Sequence, residues 1–333
     1  MIVYDNAKQI MRNAINHLHI PTYDGSNQAM HPDIIYFSNG WNYYKYWMVM
    51  TPYPFGNDRY ENPSIVVSND GKTWKVPEGL KNPLITSPVN GYNSDTDMIY
   101  NAEKDELWIY FLRYLSDEKI VKLGLMRSSN GINWSNFEYL IEWNLEKDDN
   151  GRSHTIVKQG SLLSLWYERG KGKDITWIEY RSSDDGIKWS EPTKVNILQE
   201  GYNIWHLDVI YVPEKEEYWM LYCAYPINSN LGDTILFFAK SRDRLNWRTY
   251  SVPVLKKGKV WDNTQIYRST FLYNQKSNKI GVWYSARGTP NNWILRRLQK
   301  IPLVRRYLSR YSNLWHIGYT EQNYDVFIKK LEK

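Results

Sequence analysis

From Asp33 onward, short runs of apolar, β-branched and aromatic residues alternate with clusters of Gly, Asn, Asp and Pro. This is the pattern of β-strands cut by tight turns. The runs fall into five sets. The first holds Asp33–Phe37, Tyr44–Met50 and Ser64–Ser68; the second holds Asp97–Tyr100, Leu107–Leu112 and Val121–Arg127. The third holds His154–Val157, Leu162–Tyr167 and Thr176–Arg181; the fourth holds Asp208–Tyr211, Tyr218–Ala224 and Thr234–Lys240. The fifth holds Ser269–Tyr273, Ile280–Ser285, Trp315–Thr320 and a closing strand at Asp325–Lys330. The five starts are 64, 57, 54 and 61 residues apart.

A turn recurs in the same register. Ser68-Asn69-Asp70-Gly71-Lys72-Thr73-Trp74 returns as Ser128–Trp134, Ser183–Trp189 and a worn Ser241–Trp247, the tryptophans 60, 55 and 58 residues apart. Self-similarity at this period marks a repeat architecture. Each second run also carries an aromatic pair, such as Tyr46-Trp47 and Trp166-Tyr167, suited to packing between neighbouring units. Five units of about four strands predict an all-β fold, a five-bladed β-propeller. The blades lie at about 31–90, 91–150, 151–203, 204–262 and 263–333. Residues 1–30 form a lead-in packed on the propeller, and Ile10, Met11, Ala14, Ile15 and Leu18 stand at the spacing of a short helix. The repeated turn resembles the Asp-box of sialidases, but those have more blades than the five counted here, and the motif is architectural there too.

Composition changes this picture little. Trp (16) and Tyr (28) outnumber Phe (8), which suits half-buried strands and sugar-facing surfaces. The single cysteine, Cys223, sits in an apolar run and reads as a buried thiol with no disulfide framework. The net charge of +6 is one local feature. Six basic residues and no acidic ones lie between Trp293 and Tyr311, and removing them from 42 leaves 36, matching the 36 acidic residues. Nucleic acid is therefore not an expected partner. The basic segment interrupts the fifth blade as an amphipathic hairpin, to be read as a lid, a clamp for anionic polymer, a peripheral membrane contact or a solvated loop. No transmembrane run or leader pattern occurs, so a soluble protein is expected, cytoplasmic or phage-associated.

In a propeller the entrances of the innermost strands and the loops between second and third strands open on one face. Residues at those places meet over the central channel. They include His31, Asp33, Asp97, His154, His206, Asp208 and Arg268 from the entrances. Tyr53, Glu61, Arg113, Glu168, Arg169, Tyr225 and Arg287 come from the loops. Asp95 reads as a turn former. A ring of Asp and His converging on one funnel is costly unless it binds something.

At these residues the chain resembles the five-bladed propeller glycosidases, glycoside hydrolase family 43 and its invertase- and levansucrase-like relatives, as a divergent branch. Asp33 matches the family's first-blade aspartate. His31-Pro32-Asp33 with Tyr60-Glu61-Asn62-Pro63 and the Asn69-Asp70-Gly71 turn is similar to a family-43-like group of bacterial and phage proteins. The resemblance implies a base or nucleophile at Asp33. The third- and fourth-blade positions of the usual triad instead hold Ser153-His154 and His206 with Asp208. Glycoside hydrolysis needs an acid and a second carboxylate roughly 5–9 Å apart. A reorganised set would use Asp33, with Asp208 or Glu168 as acid and Asp97 tuning a neighbour. His31, Tyr53, Glu61, His154, His206, Tyr225 and Arg268 would then bind substrate, while Arg113, Arg169 and Arg287 would match an anionic sugar. The expected function is cleavage or transfer of a glycosidic bond in a polysaccharide or glycoconjugate. The alternative is a non-catalytic carbohydrate-binding propeller. No motif calls for a cofactor, and a cation held by the Asp/His ring in the channel is a third, weaker reading.

Overall fold

The computed structural model describes residues 9–147, 150–171, 175–229, 231–289 and 314–333. The basic segment Trp293–Tyr311 lies outside these. Five antiparallel sheets follow in chain order. Blade 1 contains β1 (Ala29–Trp41), β2 (Tyr44–Pro52) and β3 (Ser64–Ser68). Blade 2 contains β4 (Gly91–Asn101), β5 (Glu106–Leu115), β6 (Ile120–Ser128) and β7 (Glu138–Asn144). Blade 3 contains β8 (Gly151–Gln159), β9 (Leu162–Lys171), β10 (Ile175–Ser183) and β11 (Thr193–Lys194). Blade 4 contains β12 (Tyr202–Val212), β13 (Glu217–Pro226), β14 (Ile235–Ser241) and β15 (Arg248–Thr249). Blade 5 contains β16 (Gln265–Asn274), β17 (Lys279–Gly288) and β18 (Leu314–Asn323). The innermost strands β1, β4, β8, β12 and β16 touch in a closed circle, β16 returning to β1. The protein is a five-bladed β-propeller.

The blades lock together through one repeated contact. The turn glycine of each box sits beneath the tryptophan of the preceding blade's second strand. Trp283 Nε1 donates to Gly71 O at 2.8 Å, and a Cβ on Gly131 would lie 2.2 Å from Trp47. Gly71 and Gly131 also take φ of +72°, so glycine answers both the backbone and the space. In the worn fourth copy Arg244 stands in the glycine's place at φ 72°, and Trp166 Nε1 still donates to its carbonyl at 2.9 Å. The turn itself is held by its serine and aspartate: Ser68 Oγ accepts from Gly71 N, and Asp70 Oδ1 from Lys72 N and Thr73 N.

Two local expectations are corrected. Among residues 9–20 there is no helix. Ile10 and Met11 bond the backbone of Pro253 and Val254, and Leu18 N donates to Ile317 O. The segment is an extended strap across blades 4 and 5, and its apolar residues are spent on two different blades rather than on one helical face. The closing segment is a helix, α1 (Tyr324–Leu331), not a strand. Asn323 caps it through Asp325 N and Val326 N, and Tyr324, Phe327 and Leu331 bury one face. Blade 5 therefore has three strands among the described residues.

Candidate active site in the funnel

All five innermost strands carry a register irregularity at the same height, between Met30 and Asp33, Ser94 and Asp97, Arg152 and Thr155, Ile204 and Leu207, and Ile266 and Ser269. Such bulges re-aim side chains and gather at active sites. Here they create two stacked rings around the channel. His31, Asp95 and Ser153 reach theirs with φ of 52, 49 and 54°, a left-handed conformation that costs non-glycine residues energy.

The lower ring is a girdle of Asp33, Asp97, Thr155, Asp208 and Thr270. Each of the first four accepts a backbone N–H from the next blade. Met98 N donates to Asp33 at 2.5 Å, Ile156 N to Asp97 at 2.9 Å, Val209 N to Thr155 at 3.2 Å and Phe271 N to Asp208 at 3.2 Å. Thr270 Oγ1 closes the circle on Asp33 at 3.2 Å. Burial, followed by the charge of Asp33, raises Asp97 well above the carboxylate range and Asp208 to about 7. Burial likewise raises Asp33, against its hydrogen bonds and Arg268.

The upper ring stands two residues earlier on each strand: His31, Asp95, Ser153, His206 and Arg268. Asp95 Oδ1 lies 3.4 Å from both His31 Nε2 and His206 Nδ1, and 3.7 Å from Arg268 Nη1. It accepts no hydrogen bond, and His31 Nε2 and His206 Nε2 have no partner either, although all three residues are buried. Ser153 N donates to Asp95 Oδ2 at 3.2 Å, Ser153 Oγ meets His206 Nδ1 at 2.7 Å, and Thr51 Oγ1 meets His31 Nδ1 at 3.1 Å. Burial lowers His31 to about 3 and also lowers His206. Burial works against ionisation at Asp95, but His31, His206 and Arg268 outweigh it and hold the carboxyl well below its usual range. Neutral imidazoles around an ionised carboxylate are the protonation states of a metal-ligand set. One ligand atom from each of His31, Asp95 and His206 falls within 4.8 Å of the others. The orphaned atoms and this donor set fit a divalent cation.

Above this cluster opens a cavity of about 210 Å³, walled by Tyr53, Tyr92, Tyr114, Trp205 and Tyr267, with Glu61 beside Asp95. Glu61 is 5% exposed. Burial, then the charges of Asp95 and Asp58, raise it well above the usual glutamate range.

The sequence-predicted residues divide accordingly. His31, Tyr53, Glu61 and His206 line the funnel cavity. Asp33, Asp97 and Asp208 do not; they are bonded one layer below, between blades. Glu168 is absent from the cavity because Arg152 grips it with two 2.8 Å hydrogen bonds. Arg268 is too deep to touch a substrate, at 1% exposure, and donates to His154 O at 2.9 Å. His154 is fully buried and lowered to about 3 by burial, then by Arg268. Tyr225 stands behind Trp205, ring centroids 6.0 Å apart. Arg113, Arg169 and Arg287 stack over Phe137, Trp177 and Trp315 rather than lining the cavity. Asp95, expected to form a turn, is the centre of the cluster. Its signal was the fivefold spacing of a polar residue, one intervening residue, then Asp or Thr: His31/Asp33, Asp95/Asp97, Ser153/Thr155, His206/Asp208 and Arg268/Thr270.

No protein-family model matches the chain. It is 30% identical to the A type blood N-acetyl-α-D-galactosamine deacetylase of Flavonifractor plautii, over 98% of this chain and 49% of that protein. The chain thus spans about half the length of this curated relative. The crystal structure of an N-acetylgalactosamine deacetylase from F. plautii with blood group B trisaccharide superposes with a TM-score of 0.84 at 29% identity, covering 97% of this chain and 98% of that one. A thermostable family-43 glycoside hydrolase gives a TM-score of 0.58 at 12% identity, with 88% of each chain covered. The catalytic domain of the Coprinopsis cinerea GH62 α-L-arabinofuranosidase gives 0.60 at 12%, covering 95% and 98%. These three structures are a deacetylase and two glycosidases. At 12% identity the glycosidases share the fold alone. Among the described residues no helix is long and apolar enough to cross a membrane.

Proposed function

We propose that the chain is a carbohydrate N-deacetylase, which hydrolyses the acetamido group of a sugar bound in the funnel. The observation that carries this reading is the buried His31–Asp95–His206 cluster, with unpartnered ligand atoms and the protonation states of a metal site. The likeness to the F. plautii deacetylase supports it. A divalent cation held by these three residues would polarise the amide carbonyl and ease deprotonation of water.

The chain's own groups do the rest. Glu61, whose raised pKa would fall beside a bound cation, takes the proton of the attacking water at its carboxylate and passes it to the departing nitrogen, as the amide C–N bond breaks and acetate leaves. Asp95 keeps its charge because His31, His206 and Arg268 surround it. The tyrosines and Trp205 shape the wall and narrow the access of bulk water. The engagement of Glu168 by Arg152, and of the girdle aspartates by backbone N–H groups, argues against the carboxylate pair that glycosidic cleavage requires.

The test is acetate release from oligosaccharides ending in N-acetylgalactosamine or N-acetylglucosamine. It compares the protein as purified, after EDTA, and after readdition of Zn²⁺ or Mn²⁺. Acetate formation that EDTA abolishes and metal restores supports the reading. Release of a free sugar without acetate would reject it in favour of glycosidic cleavage. Saturable sugar binding without either product would favour the non-catalytic alternative.

A further inference from the structure

Among the described residues lining the funnel cavity, Arg152 is the one Arg or Lys. It stands on β8 at the last paired position before the bulge, directly across from Glu168 on β9. Its Nε and Nη2 each donate to a Glu168 oxygen at 2.8 Å. The Glu168 side chain is 0% exposed and that of Arg152 is 31% exposed. The carboxylate is thus closed to any substrate. What it does is fix one edge of a guanidinium whose remainder borders the cavity.

A guanidinium is flat, and each of two edges can donate a parallel pair of N–H bonds. Glu168 takes the edge formed by Nε and Nη2. The other edge, Nη1 with the second Nη2 hydrogen, donates to no described residue. The metal-ligand cluster is close by. Ser153, the next residue, donates from N to Asp95 and meets His206 Nδ1 through Oγ. Tyr92 and Tyr114, stacked with centroids 4.4 Å apart, border the same cavity. A fixed fork beside aromatic rings suits one edge of a sugar, two oxygens meeting the fork and C–H groups meeting the rings. Asp58, Glu61 and Asp95 also line the cavity, so an uncharged hydroxyl pair meets less repulsion there than an anionic group.

We infer that Arg152 determines specificity for the sugar: its second edge donates to two neighbouring hydroxyls of the acetamido sugar, and Glu168 is the positioning residue behind it. The inference rests on the deacetylase reading for the identity of the ligand. It narrows the substrate class to acetamido sugars in which that hydroxyl pair is unsubstituted.

The test uses oligosaccharides ending in N-acetylgalactosamine or N-acetylglucosamine, and forms lacking single hydroxyls of that terminal sugar. Acetate kinetics and titration calorimetry are run side by side. Arg152→Lys keeps a cation beside Glu168 but loses the fork; Arg152→Met removes both. Each should raise KM and weaken binding about tenfold or more, with kcat changed less than about threefold. Bound metal and the far-UV circular dichroism spectrum should stay as in wild type. Removing either contacted hydroxyl should cost wild type about tenfold or more in kcat/KM, and Arg152→Met almost nothing further. Glu168→Gln, which gives up one acceptor, should raise KM less than either Arg152 substitution.

Acetate release with KM and affinity unchanged in both Arg152 variants would overturn the inference and leave the deacetylase reading standing. So would hydroxyl deletions that cost wild type and Arg152→Met equally. Arg152-dependent sugar binding without acetate would remove the deacetylase reading and keep the fork. A chain that neither binds nor deacetylates these sugars would overturn both.

Discussion

The two rings of the channel are built from the same strands, two residues apart, yet they behave oppositely. Each brings three potential metal ligands within 4.8 Å. In the girdle the carboxylates are occupied by N–H groups of the adjacent blade, and burial and mutual repulsion raise their pKa values. In the funnel ring, His31 Nε2, His206 Nε2 and Asp95 Oδ1 are left without hydrogen bonds, and the contacts of Asp95 with His31, His206 and Arg268 favour its ionised form. A buried polar atom with no partner is costly, whereas a satisfied one is an ordinary part of a core. Proximity of acidic groups is thus a weak sign of function, and unsatisfied valence with the right protonation state is a stronger one.

The sharpest way to break this comparison is to remove Asp95. Asp95→Ala should eliminate bound divalent metal, read by elemental analysis, and lower acetate release more than about 100-fold, beyond the effect typical of outer-shell partners. Asp97→Asn, its neighbour in the girdle, should keep the metal. If Asp95→Ala retains a full complement of metal, the two rings have been assigned the wrong way round. Next in size is Glu61→Gln, which should lower kcat about 10²- to 10⁴-fold while metal content stays unchanged. Loss of metal in this variant would make Glu61 a ligand instead.

The girdle's effects should appear in stability. Asp33→Ala leaves Met98 N and Ile34 N without their acceptor and should cost about 1–3 kcal/mol in urea unfolding. Asp33→Asn, which keeps an oxygen for Met98 N but turns its NH2 towards Ile34 N and Thr270, should cost less stability than Asp33→Ala and leave activity close to wild type. A large loss of kcat in Asp33→Asn with unchanged stability would return Asp33 to the chemistry.

The smallest effect concerns Glu168. Burial lifts its pKa to about 7 despite Arg152, while the pair raises that of Arg152. The folded state therefore holds this proton more tightly than the unfolded chain. The stability it contributes is complete below the ordinary glutamate range and is lost as pH rises towards about 7. Melting temperatures between pH 4.5 and 7.5 should fall more steeply for wild type than for Glu168→Gln. Parallel curves would show that Glu168 is ionised throughout.

Much of the fold was legible in order along the chain, because strands, turns and blade spacing are local and periodic. Ser64–Ser68 was bounded by its own turn residues and emerged as β3. The end of the chain was less legible. Asp325–Lys330 has apolar residues compatible with either period, and the Asn323 cap with the buried face of Tyr324 and Phe327 decided for a helix. The lead-in failed for a related reason: Ile10, Met11 and Leu18 are apolar, but their partners are edges of blades 4 and 5, distant in sequence.

For the site, the sequence alone carried the spacing that brings His31, Asp95 and His206 to the channel, while Glu168, Arg113, Arg169 and Arg287, expected from the loops, do not line its cavity. The polar-x-Asp/Thr spacing recurs once per blade, and period is a property of the linear chain. It could not determine what each residue does there. A bulge and a left-handed φ turn Asp95 towards the histidines, while Asp97, two residues on, bonds the next blade. Whether a carboxylate is satisfied or left open depends on which N–H groups neighbouring blades bring to it. Only closure of the ring decides that.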